Sequence, residues 1–314
     1  RRLWRRYDLA LIAEASDRAH LIGSLAAACR AGILPAQGSS NWWKRRLLRH
    51  AVTASGDLGE VHVVAEKLAL LQPWQAAAGA AIAPPELVPP PSEPLPPELA
   101  ARLAPRYVVV HTPSMWPYKE WPAEHFRALV ARLAAAGHQL VLTRGPGDAD
   151  RQRVAAMEGA APAAQLVDAG VLGFGQLAGL LRSAALYIGP DTSVSHLAAA
   201  CGTRVLAIFG PTNPQRWAPW PGEAQPVRFV RRAQVQEAGR VTLLQAQLDC
   251  VPCGKAGCED HRLSPARCLP AILPERVAAE ALRLLSLDGG ELPQQVRDVA
   301  AAHPVPAPQV VPPA

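Results

Sequence analysis

Polar residues of the kinds that bind anions recur in three short runs of this chain. Asp191, Thr192 and Ser193 precede an apolar segment, and His196 follows three positions after Ser193. Ser114 and Lys119 lie in HTPSMWPYKEWP, with the aromatic residues Trp116, Tyr118 and Trp121 close to Lys119 in sequence. Asp148 and Asp150 lie in TRGPGDAD. Hydroxyls, an imidazole and the mobile ammonium of a lysine suit a phosphate or diphosphate, and a carboxylate after a strand suits ribose hydroxyls. Each residue also has a plainer reading. Ser, Thr and Asp cap helices, exposed loop lysines are common, and both aspartates can cap the helix that follows them.

The elements that must hold these runs are legible from periodicity. Residues 186–188 read as a buried strand, a helix begins near Val194 and ends at Gly202, and residues 204–209 read as the next strand. A strand, loop and helix start of this kind presents unpaired N–H groups and a partial positive charge above the sheet. His196 falls in the first helical turn. Strands are predicted at 107–111, 139–143 and 165–167, and helices at 122–136, 148–157 and 176–184. This alternation predicts α/β architecture, a parallel sheet with helices on both faces. Ligands bind such sheets at the carboxyl ends of the strands, and all three polar runs follow strands, so they converge on one site.

With 314 residues, the chain is long enough for two modest domains. Hydrophobic content of 49% against 18% charged residues fits a soluble globular protein. No apolar run approaches the roughly 20 residues of a membrane span, and no signal-peptide pattern opens the chain. A cytoplasmic address is the expectation. The net charge of +6 is uneven, since residues 1–74 carry 11 Lys/Arg against 6 Asp/Glu.

A strand is predicted at 7–15 and a helix at 17–29. Residues 41–50, NWWKRRLLRH, set two Trp beside Lys44, Arg45, Arg46 and Arg49. Such a segment suits an anionic membrane surface, with a solvated basic loop as the alternative, and no recognised nucleic-acid motif accompanies the charge. Residues 61–71 read as a helix ending at Pro73. The prolines of residues 81–99 deny both helix and central strand. The predicted division is an N-terminal domain at 1–80, a linker at 81–104, a C-terminal domain at 105–286 closing with a helix at 274–286, and a Pro-rich disordered tail at 287–314.

Cys250, Cys253, Cys258 and Cys268 follow the spacing C-x2-C-x4-C-x9-C, with His261 nearby. Four thiolates in a short loop can close a tetrahedral structural zinc site; reduced, unliganded thiols are the alternative.

The run DTSVSHLAAACGTRVLAIFGPTNPQRW, together with KEWP at 119–122, resembles glycosyltransferase family 9, the lipopolysaccharide heptosyltransferases. The resemblance implies two Rossmann-like domains in the GT-B arrangement, with a nucleotide-sugar donor held by the C-terminal one. It implies inverting transfer of a heptose-like sugar, from ADP-heptose, to a lipopolysaccharide-core or other lipid-linked or oligosaccharide acceptor on the inner membrane face. Lys119 inherits the contact to the donor phosphates, and Ser114, Asp148, Asp191, Thr192, Ser193 and His196 the rest of the donor site, with no cofactor required for catalysis. Ser193 stands where the family has Gly. The family also begins with a further strand, Gly-containing loop and helix, which this chain is read as lacking, so the general base has no assigned residue. The rival reading is a catalytically silent nucleotide-binding relative that serves as a binding or scaffold protein.

Overall fold

The computed structural model describes residues 3–36, 41–78, 87–220 and 229–287. It divides into two compact units, Arg1–Pro85 with Gln215–Trp217, and Glu86–Pro214 with Ala218–Ala314. Among the described residues, no helix is long and apolar enough to cross a membrane.

In the first unit β1 (Tyr7–Ile12), α1 (Asp17–Ala26), β2 (Ala27–Leu34), α2 (Trp42–Leu47) and β3 (His50–Thr53) alternate. The three strands pair in parallel in the order β1-β2-β3. Ser16 Oγ accepts from the Ala19 N–H at 3.3 Å and caps α1. The predicted helix at 17–29 is cut short, because Ala27 turns extended (φ −143°, ψ 154°) and its successors pair with β1. The sequence reading misses β2 for a physical reason. AACRAGIL is rich in Ala, a strong helix former, and serves as a strand because it pairs on both sides, with β1 and β3, and buries Ala27 and Ala31 completely.

α3 (Val63–Leu68), a 3-10 turn and α4 (Gln72–Ala77) replace the single helix predicted at 61–71. Pro73 opens α4 instead of ending a helix, since the first turn needs no N–H from it. The buried apolar set here is small: a cluster of Ala31, Ile33 and Leu70, with Val52 and Trp74 against it, and Ile12, Ala26, Ala27 and Leu34 beside them in the strands and α1. Arg216 joins this unit through a two-pronged ion pair to Glu66, at 2.8 and 2.9 Å.

α2 also corrects an expectation. Lys44 is 3% exposed, donates to the Ala15 carbonyl at 2.8 Å and pairs with Asp17 at 2.6 Å. Its ammonium therefore holds the unit together and does not face lipid, whereas Arg45 and Arg46 are exposed.

The second unit opens with α5 (Pro97–Ala100), then β4 (Tyr107–His111), α6 (Ala123–Ala135), β5 (Gln139–Arg144), α7 (Asp148–Ala155), β6 (Leu166–Val171) and α8 (Phe174–Arg182). It continues with β7 (Leu186–Pro190), α9 (Ser193–Ala200), β8 (Val205–Phe209), a short α10 (Pro214–Trp217) running into the first unit, β9 (Val235–Ala238), β10 (Val241–Gln245) and α11 (Pro274–Ser286). Seven strands lie in the order β6-β5-β4-β7-β8-β10-β9, parallel except for the β9–β10 pair. Side chains alternate across the sheet. Val108 and Val110 pack with Phe126, Leu129 and Leu282 on one face, and Tyr107 and Val109 with Leu181 and Leu197 on the other.

The α/β class and the parallel sheets are as expected. The β9–β10 hairpin is not anticipated, because its two short strands carry no clear alternation. Part of the stretch read as a linker belongs to this unit's core, where Leu99 is buried and Leu95 and Leu103 pack beside it. Prolines forbid regular structure but not burial. Residues 81–86 and the tail from 288 onward lie outside the described residues.

Candidate functional site

The chain order reverses at β4, which has β5 on one side and β7 on the other. Loops leaving such neighbours diverge and open a crevice at the carboxyl ends. A cavity of about 560 Å³ lies there. Ser114, Trp116 and Lys119 line it from the β4 loop, Arg144 from the end of β5, Gly145 from the loop after it and Asp150 from the first turn of α7, Gly170 and Leu172 from the end of β6 and just beyond, and Asp191 to Val194 from the β7 loop and the start of α9.

The β7 loop is tightly specified. Ser195 Oγ donates to the Pro190 carbonyl at 2.5 Å and meets the Tyr187 hydroxyl at 3.1 Å. That hydroxyl occupies the space a Cβ at Gly189 would need, 2.3 Å away. Thr192 is the N-cap of α9, with extended backbone (φ −139°, ψ 169°), yet its side chain makes no capping bond. The Ser195 N–H already bonds the Thr192 carbonyl at 3.1 Å, so the N–H groups of Ser193 and Val194, both in the cavity lining, are the ones that face a ligand beside the helix's positive end.

Lys119 Nζ lies 2.7 Å from Asp191 Oδ2. The carboxylate is 7% exposed and the lysine side chain 24%. Ser114 is buried, with its hydroxyl 3.3 Å from both N and O of Trp116, so it shapes the loop as well as lining the cavity. Arg262 lies over the Trp116 ring at 4.7 Å. Arg144 adds a second cation from β5, on the other side of β4 from β7, and donates to Asp168 at 3.3 Å.

Ser114, Lys119, Asp191, Thr192 and Ser193 are thus brought together as expected, and two of the sequence-derived residues are not. Asp148 is 81% exposed, pairs with Arg151 and is not part of the cavity lining. It begins α7 pointing to solvent, while Asp150, two residues on, turns inward and sets Oδ2 where a Cβ at Gly145 would lie, 2.5 Å away. His196 also does not line the cavity. It is half-buried, and burial pushes its pKa down, the Asp191 carboxylate pulls it up and Lys119 pushes it down again.

Several lining residues escaped the sequence reading, His111, Thr143 and Arg144 among them. His111 ends β4, is 8% exposed, and its Nδ1 lies 2.9 Å from Thr143 Oγ1 at the end of β5. Burial pushes its pKa down to about 4, opposed by a backbone hydrogen bond at Thr143, so it is neutral at pH 7. The signal was its position, the last residue of a buried strand, facing the end where ligands bind.

The cysteines lie elsewhere in this unit. Cys268 is buried, Cys253 half-buried, and Cys250 and Cys258 exposed, all as free thiols. Burial, together with the charges of Cys253, Cys258 and Cys250, pushes the Cys268 thiol up to about 12. Among the described residues no three His, Cys, Asp or Glu side chains are placed to hold a metal ion. The structural zinc stays a reading of the cysteine spacing alone, and no step is derived through it.

Comparison with known proteins gives these groups a context. Residues 3–246 match the family model for glycosyltransferase family 9 (heptosyltransferase). Lipopolysaccharide heptosyltransferase 3 of Escherichia coli is 34% identical over 118 residues, 36% of this chain and 34% of that protein. Lipopolysaccharide heptosyltransferase 1 of Pseudomonas aeruginosa is 31% identical over 196 residues, 58% of this chain and 48% of that protein. The matches thus span about a third to a half of these relatives. Among solved structures, E. coli ADP-heptose lipopolysaccharide heptosyltransferase II superposes with a TM-score of 0.60 at 18% identity, covering 91% of this chain and 78% of that one. An E. coli heptosyltransferase solved with ADP gives 0.57 at 18% identity, covering 92% and 75%. Both likenesses are of fold.

Proposed function

Taking as premise that this chain belongs to glycosyltransferase family 9, we propose that it transfers a heptose-like sugar from a nucleotide diphosphate donor, ADP-heptose, to a lipopolysaccharide-core acceptor, with inversion. The observation that carries the reading is the meeting of Lys119, Asp191 and the uncapped start of α9 at one end of a cavity large enough for a nucleotide.

Departure of a nucleoside diphosphate places growing negative charge on its leaving oxygen, and fixed positive groups aimed at that charge lower the barrier. Lys119 and the first N–H groups of α9 supply it in this reading. Arg144 and Asp150, from β5 and α7, take the ribose and base. Ser193 extends a hydroxyl toward the same anion. The acceptor hydroxyl needs a base, and no residue of this cavity is assigned that role. An anionic membrane surface, where a lipid-linked acceptor resides, is proposed as the partner of exposed Trp42, Arg45 and Arg46.

Thermal denaturation with ADP, UDP, GDP and no ligand tests the reading. A ligand at 100 times its dissociation constant stabilises the native state by about 2.7 kcal/mol, and ADP is expected to do so. No shift with any diphosphate overturns the donor site. Binding of ADP without turnover of ADP-heptose on a lipopolysaccharide core would instead support the silent, scaffold-like alternative.

A further inference from the structure

A second cavity, of about 270 Å³, lies in the second unit apart from the donor cavity. Side chains alternate along β4 and just past its end. His111 lines the donor cavity, whereas Thr112 lines the second one, on the face of the sheet where Val108 and Val110 meet Phe126. Trp121, Phe126 and Met157, each at most 2% exposed, give it apolar walls, and Pro265 and Pro270 border it from the segment that carries the cysteines. The loop after β4 serves both cavities: Trp116 and Lys119 line the first, Pro117, Glu120 and Trp121 the second.

The polar groups of this cavity define what it can hold. Arg153 pairs with Glu120 and lies 3.6 Å from Asp150, so these charges are met within the protein and a charged occupant would find no counter-ion. The Trp121 Nε1–H donates to the Ile272 carbonyl at 2.9 Å. Thr112 differs: it is 3% exposed, and its Oγ1 has no hydrogen-bond partner. Buried hydroxyls are ordinarily bonded, and one that lines an apolar cavity suits an occupant that brings a single polar group. The volume falls just short of the roughly 300–1,000 Å³ of pockets for drug-sized ligands, which limits the occupant to one or two rings. We propose that this cavity is a binding site for a small neutral ring compound with one hydroxyl or carbonyl group, which bonds Thr112 Oγ1 while Trp121, Phe126 and Met157 cover the ring. The threonine hydroxyl can donate or accept, so a phenol and a cyclic ketone both qualify. The site stands independently of the donor reading.

The chain's two methionines report the two cavities separately, because Met157 lines this one and Met115, 82% exposed, lines the donor cavity. Nuclear magnetic resonance of the full chain, labelled at the methionine methyls and titrated with para-cresol, is expected to shift the Met157 signal saturably. Thr112→Val keeps the shape of the side chain and removes the hydroxyl. In that variant para-cresol affinity is expected to fall by about three- to tenfold, the loss of one neutral hydrogen bond, whereas toluene, which has no hydroxyl, loses nothing. A Met157 signal that stays in place, whether or not Met115 moves, overturns the proposal. So does para-cresol affinity unchanged by Thr112→Val. The Met157 titration uses the wild-type chain and decides the matter even if the variant does not fold.

Discussion

Lys119 and Asp191 are 72 positions apart in the chain and 2.7 Å apart in the fold, which makes each the context for the other. Removing the lysine leaves a carboxylate that is 7% exposed without its partner and adds repulsion to any anion. Lys119→Ala is expected to weaken ADP binding by tenfold or more, the effect of about 1.5–3 kcal/mol for a bond to a charged group. Asp191→Asn added to it should recover part of the loss. Titration calorimetry checks both, and unchanged ADP affinity in Lys119→Ala would put the phosphates elsewhere. Sequence reading found both residues but misjudged their neighbours. Whether Asp148 or Asp150 turns inward depends on where α7 begins relative to Gly145, and helix boundaries are the least legible feature of a sequence.

At the scale of elements, α2 illustrates how a basic run divides its labour. Over six residues, Lys44 turns into the unit toward Asp17, while Trp42, Arg45 and Arg46 face out, Arg46 lying 5.6 Å from the Trp42 ring. Only the outward set can meet lipid. Arg45→Gln with Arg46→Gln is expected to reduce co-sedimentation with phosphatidylglycerol-rich vesicles at low salt, by about 1 kcal/mol per basic residue lost. Lys44→Gln acts differently, destabilising the fold by leaving Asp17 and the Ala15 carbonyl unpartnered. Equal vesicle binding by the double Arg variant would remove α2 from any membrane face.

At the scale of the whole molecule, the two units differ sharply in what they bury. Among the described residues the first buries seven apolar residues, Ile12, Ala26, Ala27, Ala31, Ile33, Leu34 and Leu70, while the second packs both faces of a seven-stranded sheet. Burial of apolar surface is the main source of stability, so the units are not expected to melt together. Calorimetry is expected to resolve two transitions, with ADP moving only the upper one, because the cavity is built wholly from the second unit. A single transition moved by ADP would mean that the first unit is stabilised by more than its own core.

The sequence by itself determined the α/β class, the strand and helix alternation of residues 107–209, the family, and the three polar loops that meet above the sheet. These follow from local periodicity, from capping and from the rule that parallel strands present their carboxyl ends to ligands, all of which are written in neighbouring residues. The tertiary structure alone decided which polar residues reach the cavity. It set His111 in the cavity wall and left His196 out of the lining, turned Asp150 inward and Asp148 out, buried Lys44, drew Leu99 into a core, and left the cysteines without a metal-binding set among the described residues. The physical reason is that side-chain direction and burial depend on contacts between segments tens of residues apart, and a local pattern carries the period of an element but not the partner it will pack against.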